Sequence, residues 1–284
     1  MVPGGKHIIK NVVWGRQYRI WPLGDIHWGA AGCDEDLLDK TIKRIKEDPH
    51  SRWIGMGDYW DLISTQDKRF DPKAVAKHHR RAYFEGMSKE MLQYAVDKLT
   101  PIKRKCIGLL EGNHEFTYNI RMDKAMTQDL ADSLDTQFLG YSCFKDIVFQ
   151  RGDKELTIRI FAHHGAGAAN TTGGKINRLQ KNIDMANADI ILMGHVHTPA
   201  DLPSVKLGAN AECTKIEAKV QLGVISGTYL KTYKADMAGG SSYGERKGYS
   251  PVVLGSPCII FEPGTGRVMV EKPMGELGGR NGTS

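Results

Sequence analysis

Leu109-Leu110-Glu111-Gly112-Asn113-His114-Glu115 is the stretch on which the reading of this chain turns. The apolar run 106–110 has the length and composition of a short buried strand, and it stops at Gly112, before three polar side chains. Such a stop places Asn113 and His114 at the carboxyl end of a strand, where open α/β sheets carry their sites. Asn offers a carbonyl oxygen and His an imidazole, so either can ligate a metal or touch a phosphate. Alone, an Asn-His pair at a strand end serves equally well as a turn.

Four further stretches repeat the form. They are Ile20-Trp21-Pro22-Leu23-Gly24-Asp25-Ile26-His27, Trp53-Ile54-Gly55-Met56-Gly57-Asp58-Tyr59-Trp60-Asp61, Ile158-Arg159-Ile160-Phe161-Ala162-His163-His164-Gly165 and Ile190-Ile191-Leu192-Met193-Gly194-His195-Val196-His197. Gly24, Gly57, Gly112 and Gly194 stand directly before the polar group, where they permit tight turns and close backbone approach. On an extended segment alternate residues share a face, so Asp25 with His27, and His195 with His197, are expected to act as two-toothed clamps. Asp58, in a Gly-flanked turn, can bridge two cations through its two oxygens. Without metal, so many carboxylates and imidazoles at one sheet edge would be a costly surplus of polar groups.

The ordered set DxH, GDxxD, GNHE, HH and GHxH, from Asp25 to His197, resembles the calcineurin-like metallophosphoesterase family. The set is specific as a whole, while GHxH or GNHE alone would be weak. The resemblance implies a four-layer α-β-β-α fold of class α/β, a mixed β-sandwich flanked by helices with metals at the carboxyl ends of strands. It implies a first metal held by Asp25, His27, Asp58 and His197. A second would take Asp58, Asn113, His195 and one of His163 and His164. Neighbours on a strand point apart, so only one of that pair can face the site. His163 is preferred, because the family's ligand histidine is often followed by one residue and then Gly or Pro. Mixed N and O ligands with no thiolate suit two ions of Mn, Fe, Zn or Ni and do not select among them; Mn is the ion favoured. In the family a hydroxide bridging the metals attacks phosphorus in line. The residue matching His114 contacts the phosphate or protonates the leaving oxygen, so His114 and Asp61 are the residues assigned to catalysis. Asp61 and Glu115 would orient ligand histidines or turn backbones.

The remaining composition bounds the answer. A chain of 284 residues with 40% hydrophobic and 25% charged content suits a soluble globular protein of one large domain, or one domain with an appendage. The net charge of +6 fits an anionic substrate such as nucleic acid, though many enzymes are this basic. No apolar run approaches a membrane span, and residues 1–10 lack the apolar core of a signal peptide. Cys33, Cys106, Cys143, Cys213 and Cys258 are scattered and never in CxxC spacing. This points to reduced thiols in a cytoplasmic protein and argues against a disulfide framework or a Cys-based zinc site.

Along the chain, Gly15 reads as a hairpin turn before a strand at 18–23. Asp34 is a good helix N-cap, and Leu38, Ile42 and Ile45 form the apolar stripe of a helix ending at Pro49. With the strand at 52–56 this makes a βαβ unit, so its strands should be parallel. Residues 64–100 read as a helical cap insertion, with helix over 74–99 interrupted near Gly86. Lys77, His78, His79, Arg80 and Arg81 form a basic cluster there, either a solvated helix face or a guide for a phosphate backbone. Tyr83 and Phe84 could stack on a base or pack the helix. A helix is expected at 121–134, a hairpin turning at 151–154, a helix at 175–187, and strands at 189–193, 213–218, 220–226, 257–261 and 268–270. The Gly-, Tyr- and basic-rich run 238–249, with Arg246 and Lys247, reads as a loop that contacts substrate, lies on the surface or joins copies. Residues 1–274 form the domain and 275–284 a Gly-rich flexible tail.

The functional expectation is a binuclear metal-dependent phosphoesterase acting on a phosphodiester, with nucleic acid as a candidate substrate and no membrane partner. The runner-up is a phosphomonoesterase acting on a protein or small molecule. The second motif, Gly57-Asp58-Tyr59-Trp60-Asp61-Leu62, departs from the GDxVDRG run of the protein-phosphatase branch and so speaks against that activity. A non-catalytic metal-bound scaffold would need a missing ligand, and every ligand position is filled. The sequence leaves the oligomeric state open.

Overall fold

Leu38, Ile42 and Ile45 are buried, as their helical spacing requires, and the Asp34 side chain caps their helix by accepting from Leu37 N–H at 3.2 Å. The computed structural model describes residues 1–63, 73–79, 87–233, 243–246 and 248–273. In chain order the elements are β1 (Val2–Lys10), β2 (Tyr18–Leu23), α1 (Glu35–Glu47), β3 (Ser51–Gly55), α2 (Met87–Leu99), β4 (Cys106–Leu109), α3 (Asn113–Met122) and α4 (Met126–Ser133). They continue with β5 (Ser142–Arg151), β6 (Lys154–His163), α5 (Thr172–Met185), β7 (Ile190–Met193), β8 (Ala200–Ala209), β9 (Ile216–Ile225), a helical turn at Tyr243–Arg246, β10 (Cys258–Glu262) and β11 (Arg267–Glu271).

Two mixed sheets form, a six-stranded one in the order β1-β5-β6-β7-β9-β8 and a five-stranded one in the order β11-β10-β2-β3-β4. The expected βαβ unit is β2-α1-β3, with β2 and β3 parallel and Trp21 opposite Trp53. Between the sheets, Ile20, Ile54 and Ile107 of one interdigitate with Ile147, Phe149, Ile160, Leu192 and Val224 of the other. On the outer face of the five-stranded sheet, α1, α2 and α4 pack Leu38, Met91 and Leu130 against Trp21 and Trp53. On the outer face of the six-stranded sheet, α5 packs Leu179 and Ile183 against Phe161, Ile191 and Ile225. The architecture is therefore helix, sheet, sheet, helix, the layering the resemblance implies. Among the described residues no helix is long and apolar enough to cross a membrane, and all five cysteines are free.

Several local expectations change. A turn forms at Gly15, where Arg16 N–H bonds to the Val13 carbonyl, but it is no hairpin. It carries the chain from β1, which pairs parallel with β5, into the other sheet. The helix expected at 121–134 is two helices, α3 and α4, parted at Asp123 in the left-handed conformation (φ 49°), with Asn119 Oδ1 accepting from Met126 N–H. The strands expected at 213–218 and 220–226 are one, β9, and its partner β8 was not expected at all. Pro203 is tolerated in β8 because that strand lies at the sheet edge.

Within the stretch expected as a cap, the described part holds a 3-10 turn at Lys77–His79, buried at His79, followed by α2. Arg80, Arg81, Tyr83 and Phe84 lie outside the described residues, as do 234–242, Lys247 and the tail 275–284.

Candidate metal centre

β2, β3 and β4 run parallel in one sheet and β6, β7 and β9 run parallel in the other, and the turns at their carboxyl ends come together at one edge of the sandwich. Asp25 and His27 follow β2, Asp58 follows β3, and Asn113 opens α3 just after β4. His164 follows β6, and His195 and His197 follow β7. The backbone there is unusual. Asp25 (φ 48°), His27 (57°), Asp58 (50°), His195 (72°) and His197 (55°) all adopt the left-handed conformation. Few non-glycine residues do, and their concentration at one place is strain of the kind held at functional sites. The clamps therefore do not arise from extended alternation, as the sequence reading has it. Each side chain is aimed by a tight turn beyond the strand end.

The turns are locked to one another. Asp25 N–H bonds to Gly57 O at 2.9 Å, and Ile26 and His27 N–H both bond to Asp58 O. Glu115, fully buried, accepts from Asp58 N–H (3.0 Å), Gly112 N–H (3.0 Å) and Trp60 N–H (3.1 Å), and so ties the turn after β3 to the turn after β4. A Cβ on Gly112 would meet Asp58 N and Oδ1 at 2.2 Å, so only glycine admits this approach.

The donor atoms fall into two groups that share Asp58. Atoms of Asp25, His27, Asp58 and His197 all lie within 4.8 Å of one another, and so do atoms of Asp58, His164 and His195. In the first group, His197 Nε2 is 3.2 Å from Asp25 Oδ1 and 3.1 Å from His27 Nε2. In the second, His164 Nε2 is 3.4 Å from Asp58 Oδ2. Neighbouring bonds set which nitrogens face inward. His164 donates from Nδ1 to Met56 O (2.7 Å), His195 from Nε2 to Gly167 O (3.1 Å), and Asp61 Oδ1 sits 3.4 Å from His27 Nδ1. That leaves His164 Nε2, His195 Nδ1 and His27 Nε2 as lone pairs directed into the site. Asn113 places one terminal amide atom 2.6 Å from His195 Nδ1, 3.1 Å from His164 Nε2 and 3.3 Å from Asp58 Oδ2. This atom is an amide nitrogen donating to His195 Nδ1 and Asp58 Oδ2 or, with a cation between the groups, an oxygen ligand. The convergence of lone pairs with no thiolate among them fits a divalent metal cation.

Electrostatics point the same way. Burial works against ionisation of Asp58, but His164 and His114 outweigh it and hold the carboxyl well below its usual range. Burial likewise opposes the charge on His164, yet Asp58 and Asp25 raise its pKa to about 10. Where no metal balances the carboxylates, a proton on His164 does so.

His164, not His163, joins the cluster. His163 Nδ1 accepts from Gly165 N–H at 2.7 Å and its ring stands edge-on to Tyr141, outside both donor groups. The reason is strand parity. Ile158, Ile160 and Ala162 of β6 face the inter-sheet core, and His164 continues that parity, whereas Phe161 faces α5 and His163 follows it.

His114 lines the cleft over the cluster, its ring edge-on to His27 at 4.8 Å between centroids. Its N–H donates to Asp58 Oδ1 at 2.9 Å, and its Nδ1 bonds to the Asp61 carbonyl oxygen. Burial lowers its pKa, but Asp58 and Asp61 more than compensate and the pKa is raised. Asp61 reaches both imidazoles, His27 at 3.4 Å and His114 at 3.7 Å, which is a positioning role.

Two supporting residues escaped the sequence reading. Ser226 Oγ bonds to Asp25 Oδ2 at 3.2 Å and Thr228 Oγ1 to Asp25 O at 2.8 Å. They follow β9, in a Ser226-Gly227-Thr228 turn of the same form as the other five strand ends, with hydroxyls in place of ligands. The cleft has a volume of about 510 Å³, and Lys175, Lys231 and Arg246 are among the residues that line it. Lys175 Nζ donates to Thr198 Oγ1 and Lys231 pairs with Asp34 at 2.7 Å.

The molecule is thus a mixed α/β sandwich with an Asp/His cluster able to hold metal at one edge. No family model matches the chain, and no curated protein matches it. Among solved structures it is similar to a conserved uncharacterized protein of Streptococcus pneumoniae TIGR4, described as a predicted phosphoesterase. The two share 12% identity over 87% of this chain and 84% of that one, with a TM-score of 0.34. So loose a likeness carries no argument, and the site rests on the geometry of this chain alone.

Proposed function

We propose that this chain is a binuclear metal-dependent phosphoesterase that hydrolyses phosphodiesters, nucleic acid among the candidate substrates. The observation that carries the reading is the pair of donor groups sharing Asp58, with His114 beside them. Asp25, His27, Asp58 and His197 would hold one cation, and Asp58, Asn113, His164 and His195 the other. Cations there would supply Lewis acidity toward a phosphoryl oxygen and acidify bound water; mixed N and O ligands accept Mn, Fe, Zn or Ni, and Mn is the ion taken first for the test. His114, its Nδ1 held by the Asp61 carbonyl oxygen, would present a proton on its other ring nitrogen to a leaving oxygen. Asp61 keeps that ring and the His27 ring in place. Lys175 and Arg246, which also line the cleft, supply positive charge for an anionic substrate.

The test is turnover of bis-p-nitrophenyl phosphate and p-nitrophenyl phosphate with Mn²⁺, beside a chelated sample and the variants Asn113→Ala and His114→Ala. Diester turnover lost on chelation and in both variants supports the proposal. Monoester turnover alone moves the assignment to a phosphomonoesterase. Absence of metal-dependent turnover of either substrate, with metal shown to be bound, overturns it in favour of a metal-bound scaffold.

A further inference from the structure

The β8–β9 hairpin extends past the body of the sandwich. At its base, Gln221, Val224 and Ile225 are buried, but from Val205 and Val220 outward the strands are exposed. The antiparallel register pairs Val205 with Val220, Leu207 with Ala218 and Ala209 with Ile216. Directly opposed residues at alternate positions share a face, so these six apolar side chains form one uncharged ladder. Val205 is 57% exposed, Leu207 76%, Ile216 72% and Val220 64%.

The other face is polar and anchored. Lys206 Nζ donates to Ile183 O at the end of α5, at 2.8 Å, and Lys219 pairs with Asp189 at 3.0 Å. At the hairpin base the apolar face is the one carrying Leu222 and Val224 into the inter-sheet core. The ladder is therefore a stretch of core face that runs beyond the sheet covering it.

We propose that this face is covered by the same face of a second copy of the chain, related to the first by a two-fold axis. The surface suits itself. It carries no charge, so a two-fold brings ladder onto ladder without opposing like charges, although the chain as a whole bears a net +6. The area suffices. The four branched side chains present on the order of 400–500 Å² of apolar surface. A two-fold pair therefore buries about 1,000 Å² with the alanines included, the threshold of a specific interface. Joining of β8 edges into one continuous sheet is disfavoured, because Pro203 and Gly208 interrupt that edge. The absence of cations on the ladder excludes a polyanion as its occupant. This inference stands independently of the phosphoesterase reading.

Sedimentation equilibrium of the full chain between roughly 1 and 200 μM tests it. The expected result is a concentration-dependent monomer–dimer equilibrium. It should be abolished in Leu207→Glu/Ile216→Glu and weakened at least tenfold in the milder Leu207→Ser/Ile216→Ser, with circular dichroism of both unchanged and thermal unfolding unchanged at concentrations where the parent is monomeric. A wild-type chain that stays monomeric to the highest concentration overturns the proposal, whether the face then meets another protein or a lipid surface. So does a dimer that survives both double variants, or an open-ended polymer in place of a closed pair.

Discussion

Replacing Glu115 tests whether the site is held by its backbone turns or by its ligands alone. The Glu115 carboxylate is fully buried and accepts three backbone N–H groups, those of Asp58, Trp60 and Gly112, at 3.0 to 3.1 Å. Glu115→Ala strands all three donors. At about 1–3 kcal/mol for each buried donor left unmet, partly recovered by water entering the space, the loss is about 3–6 kcal/mol. For a chain of this size that is a fall in Tm of roughly 10–20 °C. Glu115→Gln keeps the shape and can still accept two of the bonds, but it turns an NH₂ group toward the third donor. Its loss should be about 1–3 kcal/mol. Because the turn carries Asp58, Mn²⁺ affinity should fall about 10- to 100-fold in either variant. Thermal unfolding and calorimetric titration of Mn²⁺ give the two readouts. An alanine variant that melts within a few degrees of the parent and binds Mn²⁺ unchanged would refute the reasoning. A glutamine variant as damaged as alanine would show that the negative charge matters more than the number of bonds.

Three further outcomes follow from the geometry. His164→Asn should lose Mn²⁺ binding at least 100-fold while His163→Asn stays near wild type, as measured by calorimetry; the reverse order would sink the parity argument for β6. Gly112→Ala pushes a methyl group into Asp58 N and Oδ1 and should abolish metal binding, whereas Gly173→Ala, with open space around its Cβ, should leave it intact. His7 gives a pH dependence remote from the cleft. Burial, with Arg52 and Lys145 beside it, lowers its pKa from 6.5 to about 4 in the folded chain. The unfolded chain therefore binds the extra proton first. Stability should be intact above pH 6.5 and decline by about 1–2 kcal/mol as the pH falls toward 4, and His7→Gln should flatten that segment in urea titrations.

What was legible in the sequence was local. The capped stripe of α1, the β5–β6 hairpin and the strand ends that stop at Gly all announce themselves within a few residues. Sandwich layering came through the motif order and not through propensity. What stayed hidden depends on distant partners. β8 contains Pro203 and Gly208, and only its pairing along β9 makes it a strand. The choice between His163 and His164 turned on the parity of β6: Leu156-Thr157-Ile158-Arg159-Ile160 alternates and sets even positions inward, but Phe161 and Ala162 blur that parity just before the pair, and the preference for His163 came from the family's spacing instead. The left-handed turns at Asp25, His27, Asp58, His195 and His197 are tolerated by Asp and His but not demanded by them. Glu115 was more readable. It stands three residues after the N-cap Gly112, the position from which a glutamate reaches back to the cap N–H.

Asp25 bonds through its carboxylate to His195 N–H and Ser226 Oγ, through its carbonyl to Thr228 Oγ1 and Tyr229 N–H, and through its own N–H to Gly57 O. Those partners lie on both sheets and are remote in sequence, so the ligand set exists only after the two halves of the sandwich have docked. A half-folded chain offers nothing for a cation to hold. A metal bound there would act by mass action on the native state, worth about 2.7 kcal/mol at a hundredfold excess over its dissociation constant. Supply of the ion would govern the lifetime of the polypeptide as well as its chemistry. Digestion by a nonspecific protease should be slowed by Mn²⁺ about as much as Mn²⁺ raises the unfolding free energy, and an equal digestion rate with chelator and with metal would dissolve that link.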